Sequence, residues 1–454
     1  MGYNDPHDGS NDTGCPMKDE PEADLSGASS RRRPKPGVVE IGGRPLKPAT
    51  LMMGHGYDPM LSEGALKPPI FLTSTFVFEN AAAGKRHFEG VTGKRPGGAE
   101  GLVYSRFNGP NQEILEDRLG VWEDAEDALT FSSGMAAIAT VLLALVQPGD
   151  TIVHSAPLYA ATETLIGKIL GRFGVNWLDF PAGASRAEID AVLARAKDAG
   201  RVALIYLESP ANPTNQLVDV EAVKASRDAL FGTGPDAPPI AIDNTFLGPL
   251  WQKPLRHGAD LVLYSLTKYA GGHSDLVAGG AVGSKAALAP IRAMRNTIGT
   301  IADPHSAWML LRSLETLELR MTRAGENAAK VCAYLRDHPK VATVGYLGFL
   351  EAGSRQADIY DRHCTGAGST FSLYLKGGER ESFAFLDALR IAKLAVSLGG
   401  TETLASAPAA MTHLSVPDER KLALGITDNL VRISIGVEDA DDLVADMEQA
   451  LRQV

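Results

Sequence analysis

A chain of 454 residues with 44% hydrophobic and 22% charged content is ordinary globular material, too long for one small core, so two to three domains are expected. Its formal net charge of −11 is opposite to what a phosphate backbone recruits, which argues against nucleic acid as a partner. The longest nearly apolar run, Ala136–Val146, is far short of the roughly 18–20 residues that span a bilayer, and the polar N-terminus holds no apolar signal core, so no membrane is expected either. The three cysteines, Cys15, Cys332 and Cys364, have no C-x-x-C spacing, which excludes a disulfide framework and a thiolate zinc site. A cytoplasmic, multi-domain protein is the expectation.

In chain order, residues 1–48 are rich in Asp, Gly, Ser and Pro and carry the basic knot Arg31-Arg32-Arg33-Pro34-Lys35. They read as a disordered or loosely attached tail, and the knot as a solvated charge run. Residues 49–108 are irregular and cannot make a core of their own; they read as an arm lying on something larger, such as a second subunit. From Ala128 the pattern changes. Strands are predicted at Ala128–Phe131, Thr151–His154, Val175–Phe180, Val202–Leu207, Pro239–Ile242, Leu261–Tyr264 and Ala278–Val282. Helices are predicted from Ser133 to about Val146, near Leu158–Phe173 and at Arg186–Asp198. Short apolar strands alternating with helices predict an α/β fold with a mostly parallel sheet covered on both faces. A long helical stretch follows at Pro304–Leu335. Strands Ser369–Leu375 and Leu430–Ile435 with helices Glu381–Leu389 and Ala440–Arg452 then predict a smaller α+β C-terminal domain.

Ligands in such sheets bind at the carboxyl ends of the strands, so the residues just after each strand matter most. Ser132-Ser133-Gly134-Met135 offers free N–H groups at a helix start, where an anion is favoured, although an ordinary cap explains it equally well alone. Asp243-Asn244-Thr245 places a carboxylate at a buried strand end, costly unless paired, with a simple turn as the plainer reading. Lys268 follows Ser265-Leu266-Thr267 and precedes a glycine pair; its plain alternative is a surface lysine. Glu208-Ser209-Pro210-Ala211-Asn212-Pro213 brings Asn212 to the same edge. Together a phosphate cradle, a buried carboxylate and a lysine meet the needs of pyridoxal 5′-phosphate. Other cofactors fit worse. No G-x-G-x-x-G follows a strand, there is no P-loop and no G-x-S-x-G, and no histidine pair stands at metal spacing, so no metal is expected.

Several strings occur in order: Tyr104-Ser105-Arg106, Ser133-Gly134-Met135, Glu208 to Pro213, Asp243-Asn244-Thr245, Ser265 to Lys268, Ser397-Leu398-Gly399-Gly400-Thr401-Glu402 and Arg432-Ile433-Ser434-Ile435-Gly436. From about residue 50 onward they resemble the Cys/Met-metabolism family of pyridoxal-phosphate enzymes. That family includes cystathionine γ-synthase, cystathionine γ-lyase, methionine γ-lyase and the acylhomoserine sulfhydrylases. The resemblance implies a type I aminotransferase-like fold and a homotetramer made as a dimer of dimers. It implies an arm over 49–108 contacting the neighbouring subunit, a cofactor domain over 109–318 and a C-terminal domain over 319–454. It makes Lys268 the Schiff-base lysine and Asp243 the partner of the pyridine nitrogen. Gly134, Met135, Ser265 and Thr267 would hold the phosphate, and Tyr104 and Arg106 would reach it from the neighbouring subunit. Tyr159 would stack on the ring and act as acid or base, its phenol tuned by Arg106. Asn212 would contact the ring hydroxyl side. Arg432, helped by Ser397, would bind the α-carboxylate of an amino-acid substrate.

The member within the family is read from fewer residues. Relatives that bind cystathionine often carry an acidic residue before the Tyr-x-Arg tyrosine; here it is Val103, which favours a substrate without a distal charge. Gly54 to Pro59 and Ala410-Met411-Thr412-His413 resemble methionine γ-lyase. Ala161 in place of a cysteine, Arg295-Asn296 in place of Lys-Asp, and Gly109 in place of Asn point away from it. A methionine γ-lyase-like γ-eliminase is the first expectation. A cystathionine γ-synthase or γ-lyase, a sulfhydrylase, and a non-catalytic binding protein with the same fold are the alternatives.

Overall fold

The computed structural model describes residues 38–96, 101–414 and 416–454. Most of the tail expected over 1–48 lies outside them. Its described end forms a small hairpin of β1 (Glu40–Ile41) and β2 (Arg44–Pro45), followed by the short helix α1 (Pro48–Leu51). The chain divides into two units. The smaller one contains α2 (Ala81–Val91), started by the Asn80 side chain, which accepts the Ala83 N–H at 2.8 Å.

The larger unit continues with α3 (Pro110–Glu123), β3 (Asp127–Phe131), α4 (Gly134–Leu145), β4 (Thr151–Ala156), α5 (Ala160–Thr164), β5 (Asn176–Pro181), α6 (Arg186–Ala199), β6 (Val202–Glu208), α7 (Val220–Phe231), β7 (Ile240–Asp243), α8 (Gly248–Trp251), β8 (Leu261–Ser265), β9 (Gly279–Gly283) and α9 (Lys285–Ile298). Its seven strands form one sheet in the order β3-β9-β8-β7-β6-β4-β5. All pairs are parallel except those that β9 makes with β3 and β8. Both faces are covered, and alternate residues show it. Ile205, Ile242 and Val262 enter one apolar cluster, while Leu204, Ala241 and Leu263 enter another across the sheet. That double burial explains why these strands read as continuous apolar runs.

Helices α10 (Pro304–Leu314) and α11 (Leu317–Arg336) lead into a second sheet of β10 (Val341–Gly345), β11 (Thr370–Leu375), β12 (Lys393–Leu394), β13 (Leu404–Ser406) and β14 (Leu430–Ser434), in the order β10-β11-β14-β13-β12. The remaining helices are α12 (Arg355–His363), α13 (Glu379–Ala388), α14 (Asp418–Ala423) and α15 (Ala440–Leu451). The architecture is therefore the expected α/β fold, with a mostly parallel sheet between helices and a C-terminal sheet domain. Two predicted helices are broken. The 304–335 stretch divides at Glu315–Thr316, where the Thr316 hydroxyl bonds the Ser313 carbonyl at 3.3 Å in competition with the helix ladder. The 158–173 stretch passes from α5 into a π turn over Leu165–Ile169 and a 3-10 turn over Leu170–Phe173. Gly167 and Gly171 remove side chains that would favour one continuous helix.

One buried carboxyl in this scaffold is pH-sensitive. Glu123, at the end of α3, accepts the Tyr264 hydroxyl, and burial pushes its pKa up to about 8 against the pull of Lys253. The folded protein thus holds this proton more tightly than the unfolded chain. The stability so contributed is complete below the ordinary value of 4.5 and is lost as pH rises through about 8. Glu123→Gln keeps the neutral shape at every pH. Its thermal midpoint should therefore fall less than the parent's between about pH 6 and about pH 9. Parallel melting profiles of the two proteins would refute this.

Candidate active site

Strands β6, β7 and β8 end side by side on Glu208, Asp243 and Ser265, with Glu208 and Asp243 directly opposite in register. A cavity of about 400 Å³ opens at these ends. Of the twelve residues singled out in the sequence, nine line it: Gly134, Met135, Tyr159, Asn212, Asp243, Ser265, Thr267, Lys268 and Arg432. Ser397 joins them through its hydroxyl, which accepts from Lys268 Nζ at 3.1 Å.

The floor of the cavity is built by close backbone approach. The Ser133 hydroxyl caps α4 by accepting the Ala136 N–H at 2.9 Å, leaving the first turn's other N–H groups directed outward. Gly134 lies against Ser265: a Cβ there would stand 2.9 Å from the serine Cβ. On β9, a Cβ at Gly279 would stand 2.1 Å from the Ser133 carbonyl oxygen, so only glycine lets the β9 backbone pass under the helix start. Beyond β8 the turn that carries Lys268 is locked by reciprocal bonds. The Thr267 hydroxyl donates to the Ala278 carbonyl at 3.2 Å, and the Ala278 N–H donates back to it at 3.0 Å.

The charged groups are all perturbed by burial. Desolvation lowers the Lys268 amine, Arg432 lowers it further, and Asp243 opposes both. Asp243 is raised by burial, although its Oδ1 accepts the Thr245 N–H at 3.0 Å. Arg432, in the middle of β14, is buried and pulled down to about 10, so it stays cationic at neutral pH. Its guanidinium donates to Asn212 Oδ1 and to the Ser397 carbonyl, both at 3.1 Å.

Sequence reasoning missed Glu208 as a site residue. Its two carboxylate oxygens accept the Tyr159 N–H at 2.7 Å and the Asn212 N–H at 2.9 Å, so it ties both loops to the end of β6. Burial, with Asp243 opposite, raises its pKa far above the carboxylate range. The rule that singled out Asp243, a carboxylate ending an apolar strand, applies equally to Glu208. Thr245, Leu398 and Thr412 line the cavity from within strings that the sequence had marked, whereas Phe246, Val277 and Val396 line it with nothing in their local sequence to mark them.

Tyr104 and Arg106 are not brought into this cavity. Tyr104 is exposed, and Arg106 donates to the Asn296 carbonyl with its guanidinium 4.7 Å from the Phe107 ring centre. Arg432 lines the cavity with Tyr159, and the contact expected between Tyr159 and Arg106 has no counterpart within one chain.

The donor set fits pyridoxal 5′-phosphate. The α4 start with Ser265 and Thr267 suits a phosphate, and Lys268 is a desolvated amine. Asp243 is a buried carboxylate that a protonated ring nitrogen would compensate. Fold and site together define a pyridoxal-phosphate-dependent enzyme. The family model described as Cys/Met metabolism PLP-dependent enzyme matches residues 49–452, so the chain belongs to that family and pyridoxal 5′-phosphate is its cofactor. Relatives bear this out. An L-methionine gamma-lyase of Pseudomonas deceptionensis is 38% identical over 408 residues, covering 89% of this chain and 97% of the relative. A cystathionine gamma-synthase of Mycobacterium tuberculosis is 38% identical over 405 residues, covering 89% and 96%. The crystal structure of a cystathionine gamma synthase from Xanthomonas oryzae pv. oryzae in complex with cystathionine matches with a TM-score of 0.80 at 33% identity, covering 90% and 98%.

Proposed function

We propose that this enzyme is a methionine γ-lyase-like γ-eliminase that converts a thioether amino acid to 2-oxobutanoate, ammonia and a thiol. The broader chemistry, γ-elimination or γ-replacement on a sulfur amino acid or homoserine derivative, belongs to the family. The preference for a substrate without a distal charge rests on the state of the cavity's carboxylates. Glu208 is committed to two backbone N–H groups, Asp243 faces the lysine, and Ile138, Phe246, Val277, Val396 and Leu398 supply apolar wall. Neither carboxylate is free to pair with the distal ammonium of cystathionine, and Val103 adds none. The relatives named L-methionine gamma-lyase support the same reading.

When bound, the cofactor supplies an electron sink for negative charge on the carbon bearing the amino group. The residues of the chain would do the rest. Asp243 would keep the ring nitrogen protonated. The α4 start, with Gly134, Met135, Ser265 and Thr267, would hold the phosphate, and Asn212 would contact the ring's hydroxyl side. Arg432 offers its fork to the substrate carboxylate, backed by Asn212 and Ser397. Lys268, its basicity lowered by burial, moves protons between neighbouring carbons, and Tyr159 at the mouth protonates the departing sulfur. Tyr104 and Arg106 would complete the phosphate site of a second copy, in a homotetramer made as a dimer of dimers. Exposed Met60, Leu61, Leu66, Leu72 and Val77 in the arm support burial against such a copy. A cytoplasmic location is supported by Cys332 and Cys364, both unpaired.

The deciding assay measures 2-oxobutanoate from methionine and from cystathionine, with and without cysteine or an acylhomoserine. Methionine should be the better donor by kcat/KM. A clear preference for cystathionine, or cystathionine formed from cysteine and an acylhomoserine with little 2-oxobutanoate released, would replace this reading with the cystathionine γ-lyase or γ-synthase one. Arg295-Asn296 and Ala161 favour those alternatives.

A further inference from the structure

Away from the cavity, two histidines distant in the sequence meet. His257 ends the 3-10 turn Pro254–His257, and His363 ends α12. Their rings stack with centres 4.3 Å apart and planes inclined by 29°. Glu221, in the first turn of α7, faces both. One oxygen lies 2.9 Å from His257 Nδ1, and the other lies 3.8 Å from His363 Nε2. Asp219, the residue that caps α7, places Oδ1 3.8 Å from the same His363 nitrogen. Each of Glu221, His257 and His363 can offer one ligand atom such that all three atoms lie within 4.8 Å of one another.

We propose that Glu221, His257 and His363 form a binding site for a divalent transition metal of the zinc class, with Asp219 or water as the fourth ligand. Two imidazoles and a carboxylate are a donor set that zinc accepts, at metal–ligand distances of about 2.0–2.2 Å, which put tetrahedral ligands about 3.4 Å apart. The observed 2.9 and 3.8 Å separations, each to a different Glu221 oxygen, lie on either side of that value, and one ligand atom from each of the three residues already lies within 4.8 Å of the others. A further observation supports it. The cluster carries excess negative charge. Asp219, Glu221 and Asp358 share one guanidinium, that of Arg362. A divalent cation would balance the remaining negative charge.

Arg362 is the competitor for this place. It donates to Glu221 and lies 3.2 Å from His363 Nε2. It also bonds Asp219 at 2.9 Å and Asp358 at 3.1 Å, so yielding Glu221 to a metal leaves it two carboxylate partners. The metal would fasten α7, the 257 turn and α12 to one another, a structural staple outside the catalytic cavity. The motifs of the sequence gave no hint of it, because zinc-like spacing is sought along the chain and these ligands meet only in the fold.

The test uses the holoenzyme, treated with chelator, dialysed and titrated with zinc sulfate by calorimetry, with thermal unfolding as a second readout. One zinc per chain should bind with micromolar or tighter affinity and raise the melting midpoint. His257→Gln should weaken binding at least about tenfold, and His363→Gln likewise, while Cys364→Ser should leave it unchanged. No binding by the parent enzyme at about 10 µM free zinc, where a micromolar site is mostly filled, overturns the proposal. So does binding that survives His257→Gln or disappears with Cys364→Ser. Because His257 is only half-buried, its variant and the parent protein decide the matter even if His363→Gln fails to fold.

Discussion

Lys268→Ala is expected to abolish turnover while leaving the protein folded. The lysine amine makes one side-chain hydrogen bond, to the Ser397 hydroxyl at 3.1 Å, and losing it costs only about 1 kcal/mol of stability. Its backbone bonds are untouched by the change. The Lys268 N–H donates to Ser265 at 3.1 Å, and Gly272 donates to the Lys268 carbonyl at 2.7 Å, so the turn remains in place. What disappears is the only lysine among the described residues that line the cavity, a base made available by burial and by Arg432. Proton transfer by a positioned side chain is worth about 10²–10⁴-fold by itself, and here the same group would also hold the cofactor. The rate of 2-oxobutanoate release should therefore fall by at least about 10³-fold, with circular dichroism and the thermal midpoint nearly unchanged. Appreciable keto-acid release from a protein lacking this amine would remove Lys268 from the catalytic role.

The largest effect on stability is expected at a residue far from the lysine. Arg295 on α9 is fully buried, and its guanidinium meets Glu116 of α3 at 2.6 Å. It also donates to the carbonyls of Thr130 at 3.0 Å and Phe107 at 3.2 Å. Glu116 is correspondingly crowded with donors. It accepts the Thr130 N–H at 3.0 Å and the Asn108 amide at 3.1 Å. Burial alone would raise the Glu116 pKa, but Arg295 and Arg292 outweigh it and hold the carboxylate ionised. Arg295→Met strands that charge in the interior, and removing one member of such a pair costs about 3–5 kcal/mol. The denaturant midpoint should fall accordingly. Adding Glu116→Gln should recover part of the loss, because the two effects share one interaction. The change also frees Phe107 next to Arg106, so the geometry of the Tyr104–Arg106 segment should suffer with it. A variant as stable as the parent would show that Arg292 alone suffices to compensate Glu116.

The residues most legible in the sequence were those whose chemistry is unusual at its local position. A carboxylate after Ile240–Ile242 and a lysine just past Leu261–Tyr264 are conspicuous, because apolar strands rarely end on groups that are costly to bury. Both line the cavity. The helix start at Ser133-Gly134 was visible for the same reason, as was the run of apolar strands. Arg432 was different. On an alternating strand it could have faced either way, and the resemblance of its surrounding string, not its local pattern, singled it out.

The sequence by itself determined the class of fold, because strand periodicity, turn residues and strand-end chemistry are local properties, and the resemblance of its motif strings pointed to the family and the cofactor. Tertiary structure decided the rest. Glu208 became a bracket for Tyr159 and Asn212 only because β4 and β6 are neighbours in the sheet. Asn212 and Arg432 became partners only because β14 belongs to a second sheet that closes over the first one's strand ends. The antiparallel place of β9, and hence the need for Gly279, follows from its pairing with β3 and β8 and not from its composition. The His257–His363 pair exists only where α12 meets the turn before β8. Each of these depends on which distant segments the packed core holds side by side, a consequence of long-range burial that no local pattern of residues encodes.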